Sequence, residues 1–413
     1  MQPFTYRDNT LYCDETPLAD IARRTGTPAY VYSKSAILDR FRAYDDAFGV
    51  QPHRVCYAVK ANSNLAILRL LAEAGAGFDI VSGGELFRVL KAGGDPQSIV
   101  FSGVGKTADE IDCALQAGIH GFNCESETEL GLIDSLAARR ALRAHIALRV
   151  NPDVDAATHP YISTGLREHK FGVDMHDAEA LYARALALPN LIPHGVSCHI
   201  GSQILDPAPM LESLDKMLEL IKRLRARGVP LTTLDLGGGL GVPYKPGEKR
   251  PAVAPFLETV CSRVAGRDLT VLVEPGRSIV GEAGVLITRV LYRKTAGAKE
   301  FVIVDAAMND LIRPALYQSH HEIIPLRKSD RGRIRADVVG PVCESGDFLA
   351  RAREMDNVMP GDLLAICTAG AYGFVQSSNY NSRPRACEVL VDGAEWRVVR
   401  RRETYEDLIR GEM

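Results

Sequence analysis

The chain has 413 residues, 46% of them apolar, enough to fill one hydrophobic core and begin another, because single cores stop growing at about 250 to 300 residues. Its formal charge of −3 arises from interspersed acids and bases with no long basic run, which argues against nucleic acid as a partner. The opening MQPFTYRDNTLYCDE has neither a basic n-region nor an apolar h-region, and no apolar run could span a bilayer, so a cytoplasmic protein without a membrane partner is expected.

In chain order, residues 1–27 hold a short strand-like piece, expected to pack on a later domain. From residue 54 to residue 274, short β-branched or aromatic runs alternate with Ala-, Leu- and Glu-rich stretches of helical period, the pattern of successive βα units. The predicted strands are Arg54 to Val59, Phe78 to Val81, Ile99 to Ser102, Gly121 to Cys124, Ile146 to Val150, Val196 to His199, Thr233 to Leu236, and Val271 to Val273. Among the helices, Leu211, Leu214, Met217, Leu218, Ile221 and Leu224 recur at helical steps, and Gly228-Val-Pro230 stops the pattern. Strands joined by crossover helices in this number predict an α/β fold, a closed (β/α)8 barrel over residues 28–278 rather than an open sheet. Beyond residue 280, Val285 to Tyr292, Phe301 to Val304, Asp337 to Val339, Leu363 to Cys367 and Glu388 to Val391 read as strands between Gly, Asp and Pro turns. A mostly β domain is therefore expected over residues 279–413.

The nine cysteines are odd in number and dispersed, without zinc-finger spacing, so neither a disulfide framework nor a metal is expected. Most read as small reduced core residues.

The informative polar residues fall at the C-terminal ends of the predicted barrel strands, where barrel enzymes build their active sites. Lys60 ends the first, Asp79 the second, Arg149 the fifth and His199 the sixth, Gly237-Gly238-Gly239 follows the seventh, and Glu274 closes the eighth. Lys60, in CYAVKAN, is carried by an apolar strand toward the barrel mouth, where a desolvated neutral amine could attack an aldehyde. A solvated lysine at a strand end is the commoner fate. The glycine run lets backbone N–H groups approach an anion, although a flexible turn explains it equally well on its own. Gly103-Val-Gly-Lys-Thr107 imitates a phosphate-binding P-loop, but that pattern needs glycine where this chain has Val100.

Glu274-Pro-Gly-Arg277 sets a carboxylate, able to hold a pyridine nitrogen protonated, beside a guanidinium able to clamp phosphate or carboxylate. His199 in HIGSQ could stack on a flat ring with Ser202 donating to phosphate; a core histidine is the plain alternative. In Cys343-Glu-Ser345 and Gly370-Ala-Tyr-Gly373, a thiol could donate a proton to a carbanion and a hydroxyl could reach phosphate. Taken singly, a buried cysteine and a half-buried tyrosine explain them as well.

Together YAVKAN, GFDIVSGGEL, FSGVGKT, NPDVDAATHPYISTGLREHKFGV, HIGSQ, DLGGGLGVPY, EPGRSIV, MNDLIRPALY, GPVCESGDFLA, AGAYGFVQSSNYNSRPR and RRETYEDL resemble the fold type III pyridoxal-phosphate (PLP) enzymes, an alanine-racemase-like barrel followed by a β domain. More narrowly they are similar to the diaminopimelate decarboxylase family. The likeness covers nearly the whole chain, and CESGD and NDLIRPALY are its most diagnostic parts. It implies that Lys60 carries PLP as a Schiff base, Glu274 pairs with the pyridine nitrogen and His199 stacks on the ring. Ser202, Gly237 to Gly239, Gly276 and Tyr372 would hold the phosphate, and Asp79 and Arg149 count with the cofactor site. Arg277, Arg313 and Tyr317 would take the far carboxylate of a small amino-acid substrate, with Glu344 on its ammonium and Tyr372 nearby.

The resemblance also implies a homodimer in which Cys343, Glu344 and Tyr372 reach across from the other subunit. Cys343, with or without Lys60, would return a proton after CO2 leaves. The expected reaction is decarboxylation of meso-2,6-diaminopimelate to L-lysine, the last step of lysine biosynthesis. A decarboxylase of ornithine, arginine, lysine or a D-amino acid is the nearest alternative, and would favour an acidic residue where this chain has Arg313. An amino-acid racemase and a non-catalytic PLP-binding protein stand further off.

Overall fold

The computed structural model describes residues 3–155 and 170–413; the AATHPYISTGLREH part of the segment quoted above lies outside the described residues. The chain forms two compact units. One comprises Arg40–Val242 and Arg250–Gly276, and the other the residues up to Asp39, Pro243–Lys249 and Arg277–Met413.

The first unit is a closed parallel barrel. Its strands are β1 (His53–Ala58), β2 (Gly77–Ile80), β3 (Ile99–Phe101), β4 (Gly121–Cys124), β5 (Ala144–Asn151), β6 (Leu191–Ser197), β7 (Thr233–Asp235) and β8 (Thr270–Val273). Each pairs in parallel with the next, and β8 returns to β1 with Val273 opposite Val55. The strands expected from sequence are all present, displaced by a few residues. The largest displacement is in β6, which begins at Leu191 and carries a register shift between Pro193 and Gly195, two residue types that mask a strand in sequence.

The turns above the barrel are set by helix caps. Ser82, Thr107 and Ser126 each accept a bond from the N–H of a glutamate three residues on, opening helices Gly83–Ala92, Ala108–Ala117 and Glu127–Arg139. Each cap satisfies one otherwise orphaned amide and is worth about 1 kcal/mol. Helix Ala208–Ala226 buries Leu214, Met217, Leu218, Ile221 and Leu224 on one face, and the chain leaves it at Gly228, whose φ is +84°.

In the second unit the buried strand Ala29–Ser33 lies between Gly284–Ala296, antiparallel, and Cys387–Asp392, parallel. The sheet runs on through Lys299–Val304, Arg333–Val339 and Phe348–Asp356 on one side and Glu395–Arg400 on the other. Leu11, Leu18, Ile21, Val31, Val285, Ile287, Val389 and Val391 share its core. Among the described residues no helix is long and apolar enough to cross a membrane.

Candidate active site

β1 delivers the chain into a single 3-10 turn, Val59–Ala61, with Lys60 at its centre. The Lys60 ammonium is 2.5 Å from Asp79 Oδ2, and Asp79 stands in β2 opposite Ala58 of β1. Asp79 is fully buried, and its Oδ1 has no hydrogen-bond partner among the described residues. A buried carboxylate with a bare oxygen is costly, so the lysine next to it keeps this strand end tolerable.

A second carboxyl group sits just beyond β8. Asn123 Nδ2, from β4, lies 3.3 Å from Glu274 Oε1 and donates at 3.0 Å to Asp235 Oδ2, at the end of β7; the Ser102 hydroxyl is 3.5 Å from Glu274. Burial, then the charges of Asp235 and Asp79, push the Glu274 carboxyl well above the usual range, with Lys60 opposing them. Asp235 also rises through burial, but bonds from Glu274, the Gly237 N–H and Asn123 counter it. Glu274 is therefore the member of the pair that keeps the proton. Ser102, Asn123 and Asp235 were not singled out in the sequence; the available signal was a polar residue closing an apolar strand.

The loops after β6, β7 and β8 are knitted together. Ile204 N–H donates to the Gly239 carbonyl and Gly241 N–H to the Ile204 carbonyl, each at 2.9 Å, which brackets Ser202 against the glycine run. A Cβ on Gly238 would stand 2.2 Å from the Glu274 carbonyl oxygen, and one on Gly276 2.9 Å from the Ala61 Cβ, so both positions require glycine for close approach. The Gly237 N–H donates to Asp235 Oδ1 at 2.9 Å and the Gly238 N–H to His199 Nδ1 at 3.2 Å. Of the three glycines, Gly239 is thus the one whose N–H these bonds do not use. Because His199 Nδ1 accepts, its hydrogen resides on Nε2. Burial, followed by the charges of Arg149 and Lys60, holds its pKa well below the ordinary value, so the ring is neutral. Arg149, at the end of β5, lies 3.4 Å from Glu125 and 4.9 Å from the centroid of Phe171.

Lys106, the lysine of the near-P-loop, donates to the Gly103 and Asn123 carbonyls at 2.8 Å and to Glu129 at 2.7 Å. Its three hydrogens are used within the protein, in keeping with the sequence argument against a nucleotide site.

The second unit gathers its own cluster. Arg277 opens the short buried helix Arg277–Val280, donates to the Tyr244 hydroxyl at 2.6 Å and lies 4.8 Å from the Tyr372 ring centroid. Arg313, at the start of Arg313–Tyr317, lies 4.6 Å from the Tyr244 ring and 2.9 Å from His321 Nε2. Burial lowers the pKa of Arg313, the neighbouring Tyr244 partly offsets this, and the charge of Arg277 lowers it further. The two guanidiniums thus repel each other in a buried place, which favours an anion there.

Tyr372 has φ +55°, in a turn where a Cβ on Gly370 would meet the Val280 carbonyl oxygen at 1.9 Å. The Tyr317 hydroxyl is 3.4 Å from Gln376 Nε2. Cys343 and Glu344 are exposed and engage other residues: the Cys343 N–H donates to Asn381 Oδ1 at 2.7 Å, and Tyr380 donates to Glu344 at 2.8 Å. Tyr244 and His321 carry no signal in the sequence beyond lying near the glycine run and Arg313.

Residues 34–281 match the family model described as "Pyridoxal-dependent decarboxylase, pyridoxal binding domain", and the chain belongs to that family of PLP enzymes. The chain is 55% identical over 412 residues to the diaminopimelate decarboxylase of Pseudomonas aeruginosa, covering 100% of this chain and 99% of the relative. The crystal structure of diaminopimelate decarboxylase from Helicobacter pylori complexed with L-lysine is 45% identical, with a TM-score of 0.92 over 95% of this chain and 98% of that one. The M. jannaschii diaminopimelate decarboxylase in co-complex with L-lysine is 37% identical, with a TM-score of 0.94 over 99% of this chain and 97% of that one. Within the PLP enzymes, the chain belongs to the diaminopimelate decarboxylases.

Proposed function

We propose that this protein decarboxylates meso-2,6-diaminopimelate at its D centre, yielding L-lysine and CO2, as a PLP-dependent carboxy-lyase. The observation that carries the substrate is the pair of buried guanidiniums, Arg277 and Arg313, braced by Tyr244. Two cations held in this way call for an anionic group on the part of the substrate that does not react. A substrate whose far end is an amine alone gives them nothing to bind. Kinship with relatives named diaminopimelate decarboxylase supports the same reading.

The barrel residues fit PLP. Asp79 and Asp235 are buried acids whose charges push the buried Glu274 carboxyl upward against the opposing charge of Lys60, and a protonated ring nitrogen beside Glu274 would relieve this surplus of acid. Neutral His199 offers a flat face, while Ser202, Gly239, Gly276 and Tyr372 would serve the phosphate. When bound, PLP supplies an electron sink for the bond pair released as the carboxylate departs.

The protein's own part is placement and proton handling. Lys60 provides the amine that anchors the cofactor, with Asp79 keeping that side chain in place. Glu274 would keep the ring nitrogen of the bound cofactor protonated. Arg277, Arg313 and Tyr317 grip the retained carboxylate, so the D-centre carboxylate is the one left at the reacting position. Cys343 Sγ delivers the proton that replaces CO2, and Glu344 takes the distal ammonium.

Cys343 and Glu344 are solvent-exposed; the Cys343 backbone N–H is bonded to Asn381 and the Glu344 carboxylate to Tyr380. This supports a homodimer in which these two residues complete the partner's site. Nine unpaired cysteines fit a reducing compartment such as the cytoplasm. The test is a product assay on holoenzyme with each diaminopimelate stereoisomer, ornithine, arginine and lysine. CO2 and L-lysine from the meso isomer are expected; ornithine as the best substrate, or racemisation without CO2, would overturn the reading.

A further inference from the structure

His321 takes no part in the roles above, yet it holds the residue on which they depend. Its ring is fully buried, with Nε2 2.9 Å from Arg313 Nη1 and Nδ1 2.8 Å from the Cys367 carbonyl oxygen. A carbonyl only accepts and a guanidinium only donates, so both bonds demand one tautomer, hydrogen on Nδ1 and lone pair on Nε2. Burial, reinforced by the charge of Arg313, pushes the His321 pKa down to about 3. The imidazole is therefore neutral at any pH at which the protein works.

The surroundings hold this arrangement in place. The Tyr244 ring meets the imidazole edge-on, with centroids 5.2 Å apart at 79°, and also faces Arg313. The His321 carbonyl accepts from Arg353 Nη1 at 2.7 Å. Arg313 is thus gripped by a lone pair and a π face, neither of which carries net charge.

The usual brace for an arginine is a carboxylate, which matches the guanidinium fork and cancels its charge. An arginine neutralised in this way has little left for an incoming anion. We propose that His321 is a positioning residue for substrate specificity: it orients Arg313 through an uncharged acceptor, reserving the full positive charge for the carboxylate the substrate retains. This rests on the proposed function, which sets that carboxylate at Arg277 and Arg313.

The test uses holoenzyme with His321→Leu, His321→Glu and His321→Gln. It measures kcat and KM for meso-diaminopimelate, together with calorimetric Kd values for L-lysine and for 1,5-diaminopentane, which has the same chain and amines but no carboxylate. His321→Leu removes the acceptor and His321→Glu adds a rival charge. Each is expected to raise KM and the L-lysine Kd by about tenfold or more, with kcat and the diaminopentane Kd moving less than about threefold. His321→Gln, whose amide can accept from Arg313 and donate to the Cys367 carbonyl, is expected to restore most of the loss.

Wild-type L-lysine affinity in His321→Glu, or equal losses for L-lysine and diaminopentane, overturns the inference. If His321→Leu fails to fold, the Glu and Gln variants decide between the same outcomes. Wild-type enzyme that releases no CO2 from meso-diaminopimelate is a separate result, defeating the proposed function and this inference with it.

Discussion

The Lys60 ammonium and the Asp79 carboxylate stand 2.5 Å apart at the ends of neighbouring barrel strands, one side chain 37% exposed and the other fully buried. The acid is thus fixed by the fold, while the amine can turn toward a ligand and still be drawn back. Replacing Lys60 by Ala is expected to abolish turnover and the visible absorbance of bound PLP. Leaving Asp79 without its cation should also cost the apoprotein about 1 to 2 kcal/mol, after allowance for the exposure of Lys60. Absorbance spectra and a thermal melt check both effects, and retained colour would sink the assignment of Lys60.

Glu274→Gln separates cofactor chemistry from stability. The raised pKa of Glu274 means that the folded apoprotein binds this proton more tightly than the unfolded chain does. By linkage, its stabilising effect is fully present below the ordinary value of 4.5 and is lost as pH climbs toward the raised folded value. The glutamine variant should melt like wild type at low pH and lose stability less steeply as pH increases. Its turnover should fall by about 10² to 10⁴. An unchanged kcat would remove Glu274 from the ring nitrogen.

Arg313→Ala should raise KM for meso-diaminopimelate by about 10- to 100-fold, the effect of one charge-assisted grip on a carboxylate, with a smaller change in kcat. Selectivity should drift toward amino acids lacking the second carboxylate. Steady-state kinetics on diaminopimelate and ornithine read this directly. An unaltered KM would favour a basic amino acid as the natural substrate.

The shared site can be tested by complementation. Cys343→Ala should keep the bound-cofactor absorbance and lose most activity, whereas Lys60→Ala loses both. Refolding the two inactive variants together should recover up to about a quarter of wild-type activity, since half of the randomly formed dimers would carry one intact site each. No recovery, with hybrid dimers demonstrated by mass, would place Cys343 and Lys60 of the same chain in one site.

The barrel was legible because parallel strands buried on both faces read as short apolar runs, and a polar residue closing such a run stands out, as Lys60, Asp79 and Glu274 do. Asn123 and Asp235 are placed in the same way but are common at strand ends, so only their distances to Glu274 give them meaning. Tyr244 and His321 were hidden for a different reason. Tyr244 belongs to Pro243–Lys249, a segment interrupting the barrel sequence yet grouped with the β unit, and no local period reveals such a detour. In that unit Phe348–Asp356 and Glu395–Arg400 went unread because half-exposed strands rich in Arg and Glu lack the apolar run used to find strands. Ile323–Pro325 was too short to register.

Ala29–Ser33, flanked by Gly284–Ala296 and Cys387–Asp392, has a consequence for how the protein is made. On the ribosome this apolar strand emerges before the barrel, and its two neighbours emerge after it. Until those neighbours are made it lacks the partners it has in the fold, and contacts so distant along the chain close slowly. Nascent chains stalled before residue 387 should therefore call on chaperones or aggregate, and trimming the C-terminal strands should harm solubility before it touches the chemistry.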